Sequence, residues 1–188
     1  MQGNRVLLRK PIESDIHDYY SYDRDEEIER MSGKGTRNLK PLTLEEARNY
    51  INGFYEQKYK WCIEYEGRCI GKVGLKVNDI DCRARYSVGF FDSSILGKGL
   101  GTEVTQLILQ FAFEEIRLHR VDLRVLDYNR RAIACYEKCG FVKKGVEREG
   151  AFIEGKFQTD VIMSILDREY MSIRDQFIKM VGEPHGNC

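Results

Sequence analysis

Net charge is the first thing this sequence lacks: 30 Lys and Arg are matched by 30 Asp and Glu. A bulk nucleic-acid binder usually carries a basic excess, so that class is set aside. No apolar run approaches the ~20 residues of a membrane-spanning helix. The opening stretch, MQGNRVLLRK, has neither the apolar core nor the cleavage pattern of a secretory leader. The expectation is a cytoplasmic protein with neither membrane nor nucleic acid as a partner. Zinc-ribbon spacing is missing too. The six cysteines (Cys62, Cys69, Cys82, Cys135, Cys139, Cys188) contain no C-x-x-C pair, and His17, His119 and His185 are scattered. Cys135 and Cys139 lie one helical turn apart and could share a metal, but reduced thiols acting as small apolar side chains are the simpler reading, and no metal is expected.

What is present is an ordinary globular composition, 42% hydrophobic and 32% charged, enough to rule out a disordered chain. The elements alternate without repeats or low-complexity linkers. A strand is expected at 5–10, a helix at 13–31 with Ser14 as its cap, and a second helix from Leu44 to Lys58 behind the capping box T-L-E-E at 43–46. Runs at 60–66, 68–77 and 84–91, separated by turn signals at Glu66-Gly67 and Asn78-Asp79, suggest an antiparallel meander.

The period then changes. Val104, Leu107, Ile108, Phe111 and Ala112 follow i, i+3, i+4, i+7, i+8 and predict an amphipathic helix ending near Arg117. A strand at 121–127, a short helix at 130–139 stopped by Gly140, and two strands within 140–166 complete the pattern. The tail after Tyr170 shows only weak helical periodicity. The sum is an α/β (α+β) mixed sheet with helices on both faces. Its one strand–helix–strand unit, 84–127, should be parallel and right-handed.

Just before the amphipathic helix stands LGKGLGTEV, with Gly97, Gly99 and Gly101 at alternate positions. Helix N-terminal N–H groups have no intrahelical partner and sit at the positive end of the dipole. Stripped of side chains they can close on a phosphate, with Lys98 adding a mobile charge. A merely tight turn is the plainer explanation, but one glycine would serve it. The stretch does not satisfy the P-loop pattern. It also fails the dinucleotide fingerprint, whose last glycine position holds Thr102. A nucleotide-dependent kinase would further need a Walker lysine and an Asp-based magnesium motif, which are missing.

GKGLGTE, then a helix, then YNRRAIACYEKCGF resembles the GNAT superfamily of acetyl-CoA-dependent N-acetyltransferases. The ending REGAFIEGKFQTDVIMSIL is similar to the branch holding the ribosomal-protein N-terminal and spermidine acetyltransferases. The resemblance runs over about 5–170. It implies a single domain at 1–170 followed by a C-terminal tail at 171–188. It also implies a twisted mixed sheet whose parallel strands 84–91 and 121–127 splay apart. The pantetheine arm of acetyl-CoA would pair with backbone at Gly89, Phe90 and Phe91. The diphosphate would rest on Leu96, Gly97, Lys98, Gly99, Leu100, Gly101 and Thr102, with Lys138 nearby. Asn129 would hold the arm with Ala132 against it, and Tyr136 would protonate the departing thiolate.

The base is open. The strand at 84–91 offers no carboxylate, and Glu149, Asp160 and Asp92 are the candidates. Cys135 is set aside as a nucleophile, since nothing pairs it with a histidine and the resemblance implies direct transfer. Leu96 stands where the branch often has an aromatic, and Lys144 where an acid is common; the second could alter acceptor choice. The acceptor would be a primary amine, either a small molecule (polyamine or aminoglycoside) or a protein N-terminus. The acidic run Asp23, Asp25, Glu26, Glu27, Glu29 could attract it, although a solvated helix face with Arg24 and Arg30 interleaved explains the run as well. A homodimer is an open expectation. The alternative to an enzyme is a CoA-binding sensor on the same scaffold without turnover.

Overall fold

The computed structural model describes residues 1–181. Cys188 and His185 lie outside the described residues. The elements run β1 (Val6–Arg9), α1 (Ser14–Tyr22), α2 (Glu26–Met31), α3 (Leu44–Asn52), β2 (Lys60–Tyr65), β3 (Arg68–Asn78), β4 (Arg83–Phe90), α4 (Leu100–Gln110), β5 (Arg120–Leu126), α5 (Arg130–Lys138), β6 (Val142–Ile153), β7 (Lys156–Leu166) and α6 (Asp167–Val181). The strands form one seven-stranded mixed sheet in the order β1-β2-β3-β4-β5-β7-β6. Only β4 and β5 are parallel neighbours, joined through α4. Among the described residues no helix is long and apolar enough to cross a membrane.

Strand alternation sends side chains to two cores. On one face Val104, Ile108 and Leu109 of α4 pack, fully buried, with Leu8, Val73, Leu123 and Ile165 of the sheet. On the other face Ile16 of α1 and Ala47 and Ile51 of α3 pack with Phe54, Cys62, Cys69 and Phe91. Burying one aliphatic side chain contributes roughly 1.5–3 kcal/mol, so each helix is held chiefly by its inner stripe.

The structure departs from the sequence expectations at several element boundaries. The helix expected over 13–31 is two helices, because Asp25 accepts a hydrogen bond from the Ile28 N–H and caps α2 instead of continuing α1. Ser14 is the first residue of α1 rather than its cap. The capping box forms as expected, with Thr43 and Glu46 bonded reciprocally, but α3 stops at Asn52. Gly53 follows, and Phe54 turns into the second core at 2% exposure. The helix from Leu100 widens into a π turn over Phe111–Glu115 before ending. The boundary expected at residue 170 falls inside α6, whose Phe177 is buried in the first core beside Tyr170.

Candidate functional site

The β4–β5 ladder lasts for three residue pairs, Arg83–Arg120, Ala84–Val121 and Arg85–Asp122, and then the strands part. On the far side of β4 the Phe91 N–H donates to the Ile70 carbonyl at 2.9 Å. Hydrogen-bonding direction alternates along an antiparallel pair in unbroken register, so Gly89 also turns its main chain toward β3. Tyr86, Val88 and Phe90 therefore turn theirs into the gap. By the same alternation, anchored by Asp127 N–H on the Thr159 carbonyl at 3.0 Å, Arg124 and Leu126 face the gap from β5. The wedge has two strand edges with no ladder partner between them. Of the three positions expected to meet an extended ligand, Phe90 alone presents its backbone. The main chains of Gly89 and Phe91 are engaged with β3, and that of Val88 faces the gap.

A cleft of about 680 Å³ fills this wedge and continues past the loop before α4. Gly97 and Gly99 both have φ of +81°, a region that costs any other residue strain. The turn itself thus needs two glycines, not one. Gly101 is different: it sits in the first turn of α4, and a Cβ there would make only ordinary contacts, at 3.6 Å from Cys135 Sγ and the Phe90 ring. Neither backbone conformation nor packing asks for this glycine, and it lines the cleft. None of the N–H groups from Gly97 to Thr102 donates to a described residue; the first α4 bond is Glu103 N–H to Gly99. Six consecutive free donors at the positive end of an eleven-residue helix make a cradle that fits a diphosphate.

The loop is pinned from outside by a pair that sequence reasoning missed. Glu103, 6% exposed, accepts from the Arg5 and Val6 main-chain N–H groups and from Arg5 Nε. Arg5 Nη1 in turn donates to the Lys98 carbonyl at 2.7 Å. The two residues stand 98 apart in the chain, so no local pattern announces them. Lys98 itself points away: it is exposed and is not part of the cleft wall.

Asn129 lies on the opposite wall as the cap of α5, accepting from the Ala132 N–H at 3.2 Å and donating to the Met31 carbonyl at 3.3 Å. Both ends of its amide are engaged within the protein, which makes it a positioning residue that ties α5 to the end of α2. Two turns on, Tyr136 sits edge-on to Tyr86 at 6.0 Å and tilted against Phe141 at 5.9 Å. Burial, then the neighbouring Cys135 and Cys139 thiols, holds its hydroxyl well above the usual phenol range. Ala132 and Lys138 also line the cleft. Cys135 lies there too. The neighbouring Cys139 thiol, with Thr102 3.4 Å away, lowers it against burial, while Cys139 rises.

Among the acids considered as a base, Asp160 borders the cleft and is 2.6 Å from Arg124 Nη2. Glu149 is exposed on β6, and Asp92 caps Ser94; neither borders the cleft. Lys144 is exposed on β6 as well. The acidic run divides. Asp23, Asp25 and Glu29 reach the cleft, while Glu26 and Glu27 face elsewhere, Glu27 pairing with Arg131 at 2.9 Å. A buried cluster of Asp15, Cys62 and Cys69 brings three ligand-type atoms within 4.8 Å of one another. Its carboxylate already takes both Arg9 Nη groups, at 2.7 and 2.8 Å, and the Ile12 N–H, which makes it a fastening of β1 to α1.

A family model described as "Acetyltransferase (GNAT) domain" matches residues 5–142. Probable N-acetyltransferase YjcK of Bacillus subtilis strain 168 is 35% identical over 54% of this chain, and spermidine N(1)-acetyltransferase of Escherichia coli K12 is 27% identical over 62%. The chain spans 57% and 63% of the lengths of those two relatives. A solved structure of spermidine N-acetyltransferase from Vibrio cholerae, in complex with CoA and spermine, superposes with a TM-score of 0.73 at 24% identity, over 89% of this chain and 98% of that one, and so shares the fold. The splayed parallel pair, the glycine loop at the start of α4 and the matched span of sequence agree: this chain belongs to the GNAT acetyltransferase family.

Proposed function

We propose that this chain transfers the acetyl group of acetyl-CoA directly to a primary amine. The observation that carries the reading is the run of free N–H groups from Gly97 to Thr102 opening beside two unpaired strand edges. The first fits the diphosphate and the second fits an extended arm bearing amides. The names of the relatives, for spermidine and for N-acetyl transfer, support an amine as acceptor.

Acetyl-CoA supplies an activated thioester; the protein supplies orientation and protons. Main-chain N–H groups of Val88 and Phe90, fixed by the sheet, are placed to polarise a carbonyl oxygen in the gap, a contact that strengthens as charge develops there. The Tyr136 hydroxyl stays protonated at neutral pH because burial disfavours the phenolate. The departing thiolate takes the proton that the hydroxyl gives up, so no free thiolate is left in the cleft. General acid help of this kind is typically worth ~10²–10⁴ in rate.

Release of free thiol from acetyl-CoA, followed across polyamines, amino acids, aminoglycosides and peptide N-termini, tests the reading. Turnover with at least one amine is expected. Tight acetyl-CoA binding with no thiol released by any of them would leave the CoA-binding sensor instead.

A further inference from the structure

The end of the cleft away from the glycine loop is walled by Tyr19, Glu29, Lys34, Tyr50 and Lys72. Of the four carboxylates on the cleft wall, three are held by hydrogen bonds within the protein, and the fourth, Glu29, meets only the exposed Lys34 among the described residues. Asp23 takes the Leu42 N–H at 2.7 Å, and Asp25 takes the Ile28 and Ser93 N–H groups at 3.1 and 2.8 Å. Glu29 sits 2.7 Å from Lys34 Nζ, and Asp160 holds Arg124. Of the two lysines there, Lys34 has Glu29, but Lys72 is not balanced. Lys72 Nζ stands 4.4 Å over the Tyr50 ring and 5.7 Å from Phe54, with no carboxylate within ion-pair distance among the described residues. Lys60 lies over the other ring, 4.7 Å from Phe54, equally without one. The Lys72 stem crosses Gly89, where a Cβ would be 3.7 Å from its Cε. Its ammonium is thereby set beside β4 where the strands part.

We propose that Lys72 receives an anionic group, a carboxylate or a phosphate, that the acceptor carries beside its reactive amine. This rests on the amine-acetyltransferase reading above and narrows it: the acceptor is an amino acid or a phosphoryl amine rather than a polyamine. A polycation would meet three acids already hydrogen-bonded, a Glu29 already paired with Lys34, and a Lys72 that repels it. An oxyanion would supply the partner that Lys72 lacks, in a half-buried setting where a charge-assisted hydrogen bond is strong. The aromatic faces of Tyr50 and Phe54 hold the ammonium in place without neutralising it. Burial first, then the like charges of Lys60 and Lys34, offset in part by Glu29, bring its pKa down to about 8. It therefore carries its charge at neutral pH and gains from a counter-ion.

Calorimetry with CoA present separates the possibilities through matched pairs: lysine against cadaverine, tyrosine against tyramine, phosphoethanolamine against ethanolamine. The acid member of at least one pair should bind tenfold tighter or better, and which pair shows the gap tells carboxylate from phosphate. Lys72→Met keeps the stem and should erase the gap, while Lys72→Arg should keep most of it. CoA affinity should stay unchanged in both, reporting an intact fold. Equal or reversed affinities, a gap that survives Lys72→Met, or no binding of any acid would overturn the proposal. Thiol release is read separately. Lys72-dependent acid binding without it would sink turnover and leave the anion site standing, whereas thiol release with polyamines and no acid binding would do the reverse.

Discussion

At the glycine-loop end of the cleft, the groups facing a ligand are main-chain amides, Gly97 to Thr102 on one side and Val88 and Phe90 on the other. At the far end they are side chains from four elements: Tyr19 of α1, Glu29 of α2, Tyr50 of α3 and Lys72 of β3. Backbone cannot change its donors by substitution, so the first end suits a constant cosubstrate. Side chains change freely, so the second end suits the acceptor proposed above. Substitutions should therefore split cleanly, with changes near the loop altering acetyl-CoA and changes near Lys72 altering the acceptor.

Tyr136 lines the same cleft, and its loss should be the largest single effect. Tyr136→Phe keeps the ring against Tyr86 and Phe141 and removes only the hydroxyl. Turnover should fall about 10²-fold or more with acetyl-CoA affinity near wild type, because the lost interaction exists mainly in the transition state. Steady-state thiol release gives both numbers. Wild-type turnover would place Tyr136 among packing residues, and a raised KM at constant kcat would make its hydroxyl a ground-state contact.

Gly101 tests the backbone cradle more cleanly than its neighbours. Gly99→Val would strain the turn through its positive φ whatever the ligand did. Gly101→Val should weaken acetyl-CoA binding more than tenfold by covering the free amides. Gly101→Ala should weaken it about threefold while raising the melting temperature, since Ala in a helix is favoured over Gly by about 1 kcal/mol. Calorimetry and thermal melts on both variants decide it. Stabilisation with unchanged affinity would mean that nothing needs to approach this position.

How much of this was legible follows the same division. The loop could be read because glycine answers a local demand, and the capping box at Thr43 and Glu46 and the stop at Gly140 are local too. The β2–β3–β4 meander and the parallel β4–β5 pair follow from the segment pattern, while the place of β7 between β5 and β6 was not read. Lys72 was invisible. In RCIGKVGLKV it is one polar residue in a strand, and nothing nearby in sequence says that α1, α2 and α3 will close over its face. The break at Asp23–Asp25 was hidden because an acid inside a helical pattern and an acid capping a new helix look alike until Ile28 and Ser93 are seen to donate to Asp25. Gly89 and Phe91 line the cleft but turn their main chain toward β3, which the sequence could not show, because only the ladder on the β3 side decides which residues of β4 face outward.

Arg5→Ala should act more weakly than either cleft variant. It removes the bond to the Lys98 carbonyl, while Glu103 still accepts from the main chain of Val6. A hydrogen bond to a charged donor that is half exposed should be worth about 1 kcal/mol here, so acetyl-CoA affinity should drop about fivefold. An unchanged Kd would mean that the two glycines hold the loop without help.

The smallest effect should come from Lys98→Ala, and it sharpens the contrast between backbone and side chain. Lys98 lies between two glycines in the stretch that fits the diphosphate, and sequence alone makes it the natural counter-charge. In the structure its side chain is exposed and off the cleft wall, and the protein uses its carbonyl, which accepts from Arg5. A solvated ammonium near a phosphate contributes little and is screened over about 8 Å at physiological ionic strength. Acetyl-CoA affinity in Lys98→Ala should fall less than threefold at low salt and match wild type near 0.5 M salt, where the screening length is only a few ångströms (about 3 Å at 1 M). Calorimetry at two salt concentrations reads this directly. A loss of tenfold or more that persists at high salt would show that Lys98 swings onto the diphosphate when it binds, and the cradle would then be part side chain after all.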